Sequence, residues 1–247
     1  MISASGLSKW FGATLALNDV SFRLEPGEVV GLLGRNGAGK TTTMRILTGY
    51  FPPSSGSVVV AGHDVLEAPS AAKARVGYLP ENPPVYPEMT VAGYLRFCAR
   101  LRGVPRARVE GRVTQAIARC GLTEVRGRII GNLSRGYRQR VGIAQALVHD
   151  PDVLILDEPT AALDPGQIHE IRGLIRELSA EERDGAAGPS RRTVLLSTHR
   201  LEDVVATCGR AIIISRGKLV ADGPVGTAHG HELEKRFLDL TAGEESK

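Results

Sequence analysis

Three short groups of residues in this chain carry reactive or ligand-binding types at telling spacings. The first is GRNGAGKT, Gly34 to Thr41, which satisfies GxxxxGK[ST]. Glycines at 34, 37 and 39 let backbone amides wrap phosphate oxygens, Lys40 is long enough to reach the outer phosphates of a nucleotide, and Thr41 offers a hydroxyl suited to Mg2+. Arg35, Asn36, Ala38 and Thr42 complete the candidate contact set along the same loop. The second group is VLILDEP, residues 153 to 159, in which an apolar run ends in two acids. Asp157 is the candidate to hold Mg2+; Glu158, one residue on and facing differently, is the candidate to orient or deprotonate an attacking water. The third is LSRGYRQR, residues 133 to 140, with Ser134 suited to cap a helix and Gly136 suited to close approach by an anion. A helix start of this kind presents unpaired amides and a positive dipole end. One triphosphate hardly needs two cradles, so the third group asks whose phosphate it would hold.

The elements that must position these groups are legible from apolar pattern. DVSFRL, EVVGLLG, SVVVAG, VLILDE, TVLLSTH and AIIIS have the β-branched content of strands, and the most apolar are expected to be buried on both faces. KTTTMRILTG, DPGQIHEIRGLIRELSA and LEDVVATC read as helices directly after strands, the βαβ order of a parallel sheet. Between Leu79 and Val153 the pattern is almost wholly helical, which predicts a lobe inserted in the core. EERDGAAGPSRR, 181 to 192, is charged and rich in Gly, Ala and Pro, and reads as a surface loop.

Composition narrows the class. With 247 residues and 42% hydrophobic content the chain is long enough to bury a full core. Its net charge is +4, and only 6 of its 31 basic residues are lysine, so the excess is carried by arginine. That balance suits a polyanionic small molecule and is too dispersed to argue for nucleic acid. Cys98, Cys120 and Cys208 form no metal-binding spacing and read as reduced thiols. MISASGLSKWFG has no signal-peptide stretch, and no run approaches the ~20 apolar residues of a membrane span, so any membrane role is expected through a partner. No heptad pattern suggests a coiled-coil ATPase. The Arg-rich run at 96 to 112 reads as a solvated helix face, with a face toward anionic lipid headgroups or a membrane partner as the alternative.

Taken together and in this order, GRNGAGKT, LSRGYRQR, VLILDEP, AALD and STH resemble the ATP-binding subunit of an ABC transporter, over about Ile2 to Gly223. The resemblance implies an α/β fold: a P-loop NTPase core with a mostly parallel sheet, an N-terminal antiparallel β region and an inserted α-helical lobe. It places the ATP-binding domain at 1–223, the lobe at about 84–148, and a C-terminal helical tail at 224–247. It implies ATP and Mg2+ as cofactors, and it makes Ser134 and Gly136 the grip on the γ phosphate of ATP held by a second subunit. In the same way His199 would contact the γ phosphate beside the catalytic pair of Lys40 and Glu158, and Asp164 would cross the dimer interface. Phe11 of KWFG would stack on adenine, with Trp10 as the alternative register. Glu81 of YLPEN stands where the family usually has Gln; a carboxylate there is a third candidate metal ligand beside Thr41 and Asp157, and it adds negative charge to the site.

The implied partners are a second ATP-binding subunit, taken as an identical copy, and a separate transmembrane permease, with no nucleic acid. The implied location is peripheral, at the cytoplasmic face of the cell membrane. LEKRFLDLT is similar to the LEEVFLxLT tail of exporter-type subunits, and with GYLPENPPVYPEMTV it points to export. A soluble ABC ATPase acting on ribosomes or DNA usually has two such domains or a long coiled coil; a phosphate-loop kinase or GTPase would leave LSRGYRQR unexplained.

Overall fold

The computed structural model describes residues 1–185, 188–225, 235, 237 and 239. The N-terminal part forms β1 (Ile2–Phe11), β2 (Thr14–Leu24), β3 (Val29–Leu33), α1 (Lys40–Leu47), β4 (Ser55–Val60), β5 (His63–Asp64), α2 (Pro69–Ala74) and β6 (Val76–Leu79). Then come the lobe helices α3 (Val91–Leu101), α4 (Val109–Arg119) and α5 (Arg135–Leu147). The chain returns through β7 (Val153–Asp157), α6 (Pro165–Ala180), β8 (Arg183–Gly185), β9 (Gly188–Ser190), β10 (Thr193–Thr198), α7 (Leu201–Thr207), β11 (Arg210–Ser215) and β12 (Lys218–Pro224).

Six strands make the central sheet in the order β12-β11-β3-β10-β7-β6, parallel except for the β11–β12 hairpin. A second, antiparallel sheet has the order β2-β1-β4-β5 and is built mainly from the N-terminal strands. Alternation along the central strands divides the core. Ile155, Leu195 and Ile212 face the antiparallel sheet and α1, whereas Leu154, Leu156, Leu196 and Ile213 face the lobe, α6 and α7. Because both faces are covered, these strands read as continuous apolar runs. The lobe is seated closely on the sheet: a Cβ added at Gly77 of β6 would lie 2.1 Å from the Ala146 carbonyl oxygen of α5.

The segment 181–192 departs from the surface loop that its composition predicts. Arg183–Gly185 and Gly188–Ser190 pair as an antiparallel hairpin, and Arg192 is fully buried. Its guanidinium donates to Asp150 at 2.7 Å and to Glu181 at 2.7 Å. Asp150 also accepts from Arg112 at 2.8 Å, and Glu181 pairs with Arg119, both arginines of α4. A buried guanidinium is tolerable only with its carboxylates in place, and those carboxylates lie 42 and 11 residues away along the chain. The expected C-terminal tail lies outside the described residues, apart from Pro224, Val225 and the helical positions Lys235, Phe237 and Asp239.

Candidate nucleotide site

Strand register gathers the chemistry at one edge. Leu33 of β3 pairs with Thr198 of β10, Ser197 pairs with Asp157 of β7, and Leu156 pairs with Leu79 of β6. The segments leaving these four parallel strands therefore emerge side by side at the carboxyl edge of the sheet, where open α/β sheets bind ligands. They carry GRNGAGKT, His199, Glu158 and Glu81 respectively.

The loop after β3 takes its shape from its glycines. Gly37 and Gly39 have φ of 80° and 111°, in the left-handed region that other residues avoid. A Cβ at Gly39 would meet Leu17 at 2.7 Å, whereas at Gly37 it would meet nothing within 4 Å, so Gly37 opens onto free space. Lys40, the first residue of α1, is 5% exposed and folds back so that Nζ donates to the carbonyls of Gly34 at 2.7 Å and Arg35 at 3.2 Å. Its ammonium lies 3.4 Å from Glu158 Oε1.

Asp157 is buried beneath this loop. Its Oδ1 accepts from Ser197 Oγ in a short hydrogen bond and from Thr41 Oγ1 at 3.4 Å, while its Oδ2 is buried without a hydrogen-bond partner among the described residues. Burial pushes the carboxyl above the usual carboxylate range; the Ser197 and Thr41 hydroxyls pull it back, and neighbouring Glu158 adds to the rise. An orphaned carboxylate oxygen beside a threonine hydroxyl is an all-oxygen donor set that suits Mg2+. Glu158 follows with φ 49°, a strained value for a non-glycine, and its amide is held by the Ser197 carbonyl at 3.1 Å and the Ser197 hydroxyl at 3.2 Å. His199 Nδ1 lies 3.1 and 3.0 Å from the two Glu158 oxygens.

Above these groups lies a cleft of about 360 Å³. It is lined by Arg35, Asn36, Gly37, Gly39, Lys40, Thr41 and Thr42, with Glu81, Glu158 and His199 facing them. Gly34 and Ala38 instead face the base of the loop, where a Cβ on Gly34 would come within 2.4 Å of the Ile214 carbonyl oxygen. Phe11 does not line the cleft. It closes the β1–β2 hairpin, 47% exposed, edge-on to Phe51 at 5.4 Å with Lys9 Nζ 5.3 Å from its ring, and Trp10 beside it is 51% exposed.

LSRGYRQR belongs to a different cleft. Ser134 caps α5, accepting from the Tyr137 amide at 3.4 Å, and the first turn holds no acid. Ser134, Gly136, Tyr137 and Arg140 line about 300 Å³ together with Gln167 and Glu170 of α6, and this lining shares no residue with the first cleft. A Cβ at Gly136 would lie 2.7 Å from the carboxamide end of Gln167, a flexible side chain that could turn aside. Asp164 lines neither cleft and caps α6, accepting from the Gln167 amide at 2.9 Å.

Several residues of the site were not singled out from sequence. Ser197, which braces both Asp157 and Glu158, lay within the STH motif, and strand alternation could have paired it with Asp157. Gln139 and Asp203, which hold the segment after Glu158, had no local signal: Gln139 Nε2 reaches the Pro159 carbonyl at 2.9 Å, and Asp203 receives the Thr160 hydroxyl at 2.6 Å.

Fold and site together define an ATP-binding protein of the phosphate-loop ATPase class. A family profile described as "ABC transporter" matches residues 17–161, more than half of the chain, and a second, described as "AAA domain, putative AbiEii toxin, Type IV TA system", matches 126–202. The chain is 37% identical to the ABC transporter ATP-binding protein NatA of Bacillus subtilis (strain 168), over 88% of this chain and 85% of that protein. It is 32% identical to the bacitracin transport ATP-binding protein BcrA of Bacillus licheniformis, over 100% of this chain and 76% of that one. A solved structure of the ATP-binding subunit of an ABC transporter superposes with a TM-score of 0.82 at 29% identity, covering 98% of this chain and 99% of that one. The chain belongs to the ABC transporter family, among its ATP-binding proteins.

Proposed function

We propose that this chain hydrolyses Mg-ATP in the cleft above its phosphate loop when a second copy closes over it, and that closure and hydrolysis drive export through a separate membrane permease. The observation that carries this reading is the separation of the two clefts. Lys40, Glu158 and His199 sit at one, and the Ser134 helix start opens at another with no lining residue in common. Two copies set head to tail would bring the second cleft of each onto the first cleft of the other, so that Ser134 and Gly136 grip the γ phosphate held by the facing chain and Asp164 lies at the seam.

The chain's own residues divide the work. The amides of the glycine loop bind the phosphates; Lys40, already desolvated, exchanges its carbonyl contacts for phosphate oxygens. Thr41 and Asp157 would hold Mg2+, with Glu81 at the rim of the cleft; the bound ion supplies positive charge to the phosphate oxygens. Glu158 orients the attacking water and takes its proton, and His199, 3.0 Å from the Glu158 carboxylate, fixes that carboxylate and faces the γ phosphate. Phe11 supplies the stacking face for adenine, through its exposed ring.

No helix among the described residues is long and apolar enough to cross a membrane, in keeping with a subunit that sits peripherally on the cytoplasmic face and borrows its pathway. BcrA, whose name links it to bacitracin transport, supports a transport role, as does the exporter-like LEKRFLDLT. The deciding experiment is phosphate release per chain against protein concentration. Turnover should rise steeply from near zero in dilute solution as dimers form; full turnover by a strictly monomeric preparation would overturn the shared site. Purification from detergent-solubilised membranes should bring down a multi-span protein, whereas recovery of ribosomes or DNA would overturn the transport reading.

A further inference from the structure

Asp203 of α7 is 1% exposed and accepts hydrogen bonds from three separate parts of the chain. Its Oδ2 receives the hydroxyls of Thr160 at 2.6 Å and Thr198 at 3.2 Å, and its Oδ1 receives Arg172 Nε at 2.7 Å. Thr160 stands two residues after Glu158, and Thr198 immediately before His199. From this geometry we infer that Asp203 is a positioning residue, a single buried carboxylate that sets Glu158 and His199 against each other. The inference rests on the roles proposed above for those two side chains.

Donor and acceptor direction makes the case. An ionised carboxylate only accepts, so both threonine hydroxyls must point their protons at it. Thr198 Oγ1 then keeps its lone pairs for the Arg200 amide, 3.0 Å away, and the backbone is fixed on both sides of His199. On the other strand end, Thr160 is tied to Asp203 while the adjacent Pro159 carbonyl is tied to Gln139 of α5. The turn that follows Glu158 is thus held between α7 and α5, the helix that Ser134 caps. A segment carrying two non-glycine residues at positive φ, Glu158 at 49° and Ala162 at 51°, keeps that shape only when its surroundings over-determine it. If Asp203 served solely as the counter-charge of Arg172, the two hydroxyls would contribute nothing to catalysis.

Thr160→Val and Thr198→Val separate these roles, because each removes one hydroxyl and leaves the Asp203–Arg172 pair intact. Each is expected to lower kcat for ATP by on the order of tenfold to a hundredfold, as small misplacements of catalytic groups do. ATP affinity by calorimetry should stay within about twofold, since neither hydroxyl contacts the phosphate loop and the Thr198 carbonyl keeps its hold on the Gly34 amide. Asp203→Asn should lower kcat likewise, and adding Thr198→Val to it should cost less than in the wild-type background. The imidazole nitrogen and proton signals of His199 should move in Asp203→Asn without nucleotide present. Wild-type kcat in both threonine variants, or unmoved His199 signals in Asp203→Asn, would overturn the inference. A wild-type chain that hydrolyses no ATP would instead sink the proposed function, and the His199 signals would still decide whether Asp203 positions that ring.

Discussion

In the cleft above the phosphate loop, Lys40, Glu158 and His199 are joined to one another or to backbone and Asp157 to the hydroxyls of Ser197 and Thr41, and all but His199 are buried. At the start of α5 the arrangement is the reverse. Ser134, Arg135 and Arg138 are exposed, and the capping contact of Ser134 is 3.4 Å long. The first cleft holds its charges where they will be needed, so little reorganisation remains for the reaction step. The second is inexpensive to leave in water, and its helix dipole gains strength only when a facing surface excludes solvent. One cleft is organised by its own chain; under the proposed function the other is completed by a neighbour.

Four substitutions test that contrast. Glu158→Gln should lower turnover by on the order of 10²- to 10⁴-fold, the range for a positioned acid–base group, with ATP affinity unchanged. Phosphate release and calorimetry read the two quantities, and wild-type turnover would remove Glu158 from the chemistry. Lys40→Ala should weaken ATP binding itself by roughly 1.5–3 kcal/mol, the worth of a hydrogen bond to a charged group; unchanged affinity by calorimetry would count against a phosphate contact.

Ser134→Ala should lower turnover by about tenfold while leaving ATP affinity of the isolated chain alone, and the lost cap should cost about 1 kcal/mol of stability in thermal melts. The sharper form of that test mixes the Ser134→Ala and Glu158→Gln proteins. Their mixed dimer gathers both defects in one shared site and leaves the other intact, so turnover should exceed that of either protein alone; simple averaging would mean that the clefts do not meet. The smallest effect is expected for Phe11→Ala, about 1 kcal/mol of ATP affinity, at the low end for stacking because the ring already packs against Phe51.

Most of the first cleft was legible because its groups lie on strand–loop–helix junctions, where local sequence dictates geometry. GRNGAGKT and VLILDEP each contain strand end and functional residue within a few positions, and parallel register does the rest. What escaped depends on pairings between distant elements. Asp203 meets Thr160 across 43 residues of chain and Gln139 meets Pro159 across 20, and no short pattern announces either contact. Arg192 escaped for the opposite reason: its neighbours form a charged, Gly- and Pro-rich run that looks solvated, and only the carboxylates of Asp150 and Glu181 make its burial possible.

That guanidinium has a consequence for how the molecule is assembled and taken apart. Its counter-charges stand just before β7 and just after α6, and each also pairs with an arginine of α4, so one charge network links the lobe to the core. Excising residues 84–148 would leave the remaining core with carboxylates stripped of two partners, and unfolding should run as a single cooperative transition instead of peeling the lobe away first.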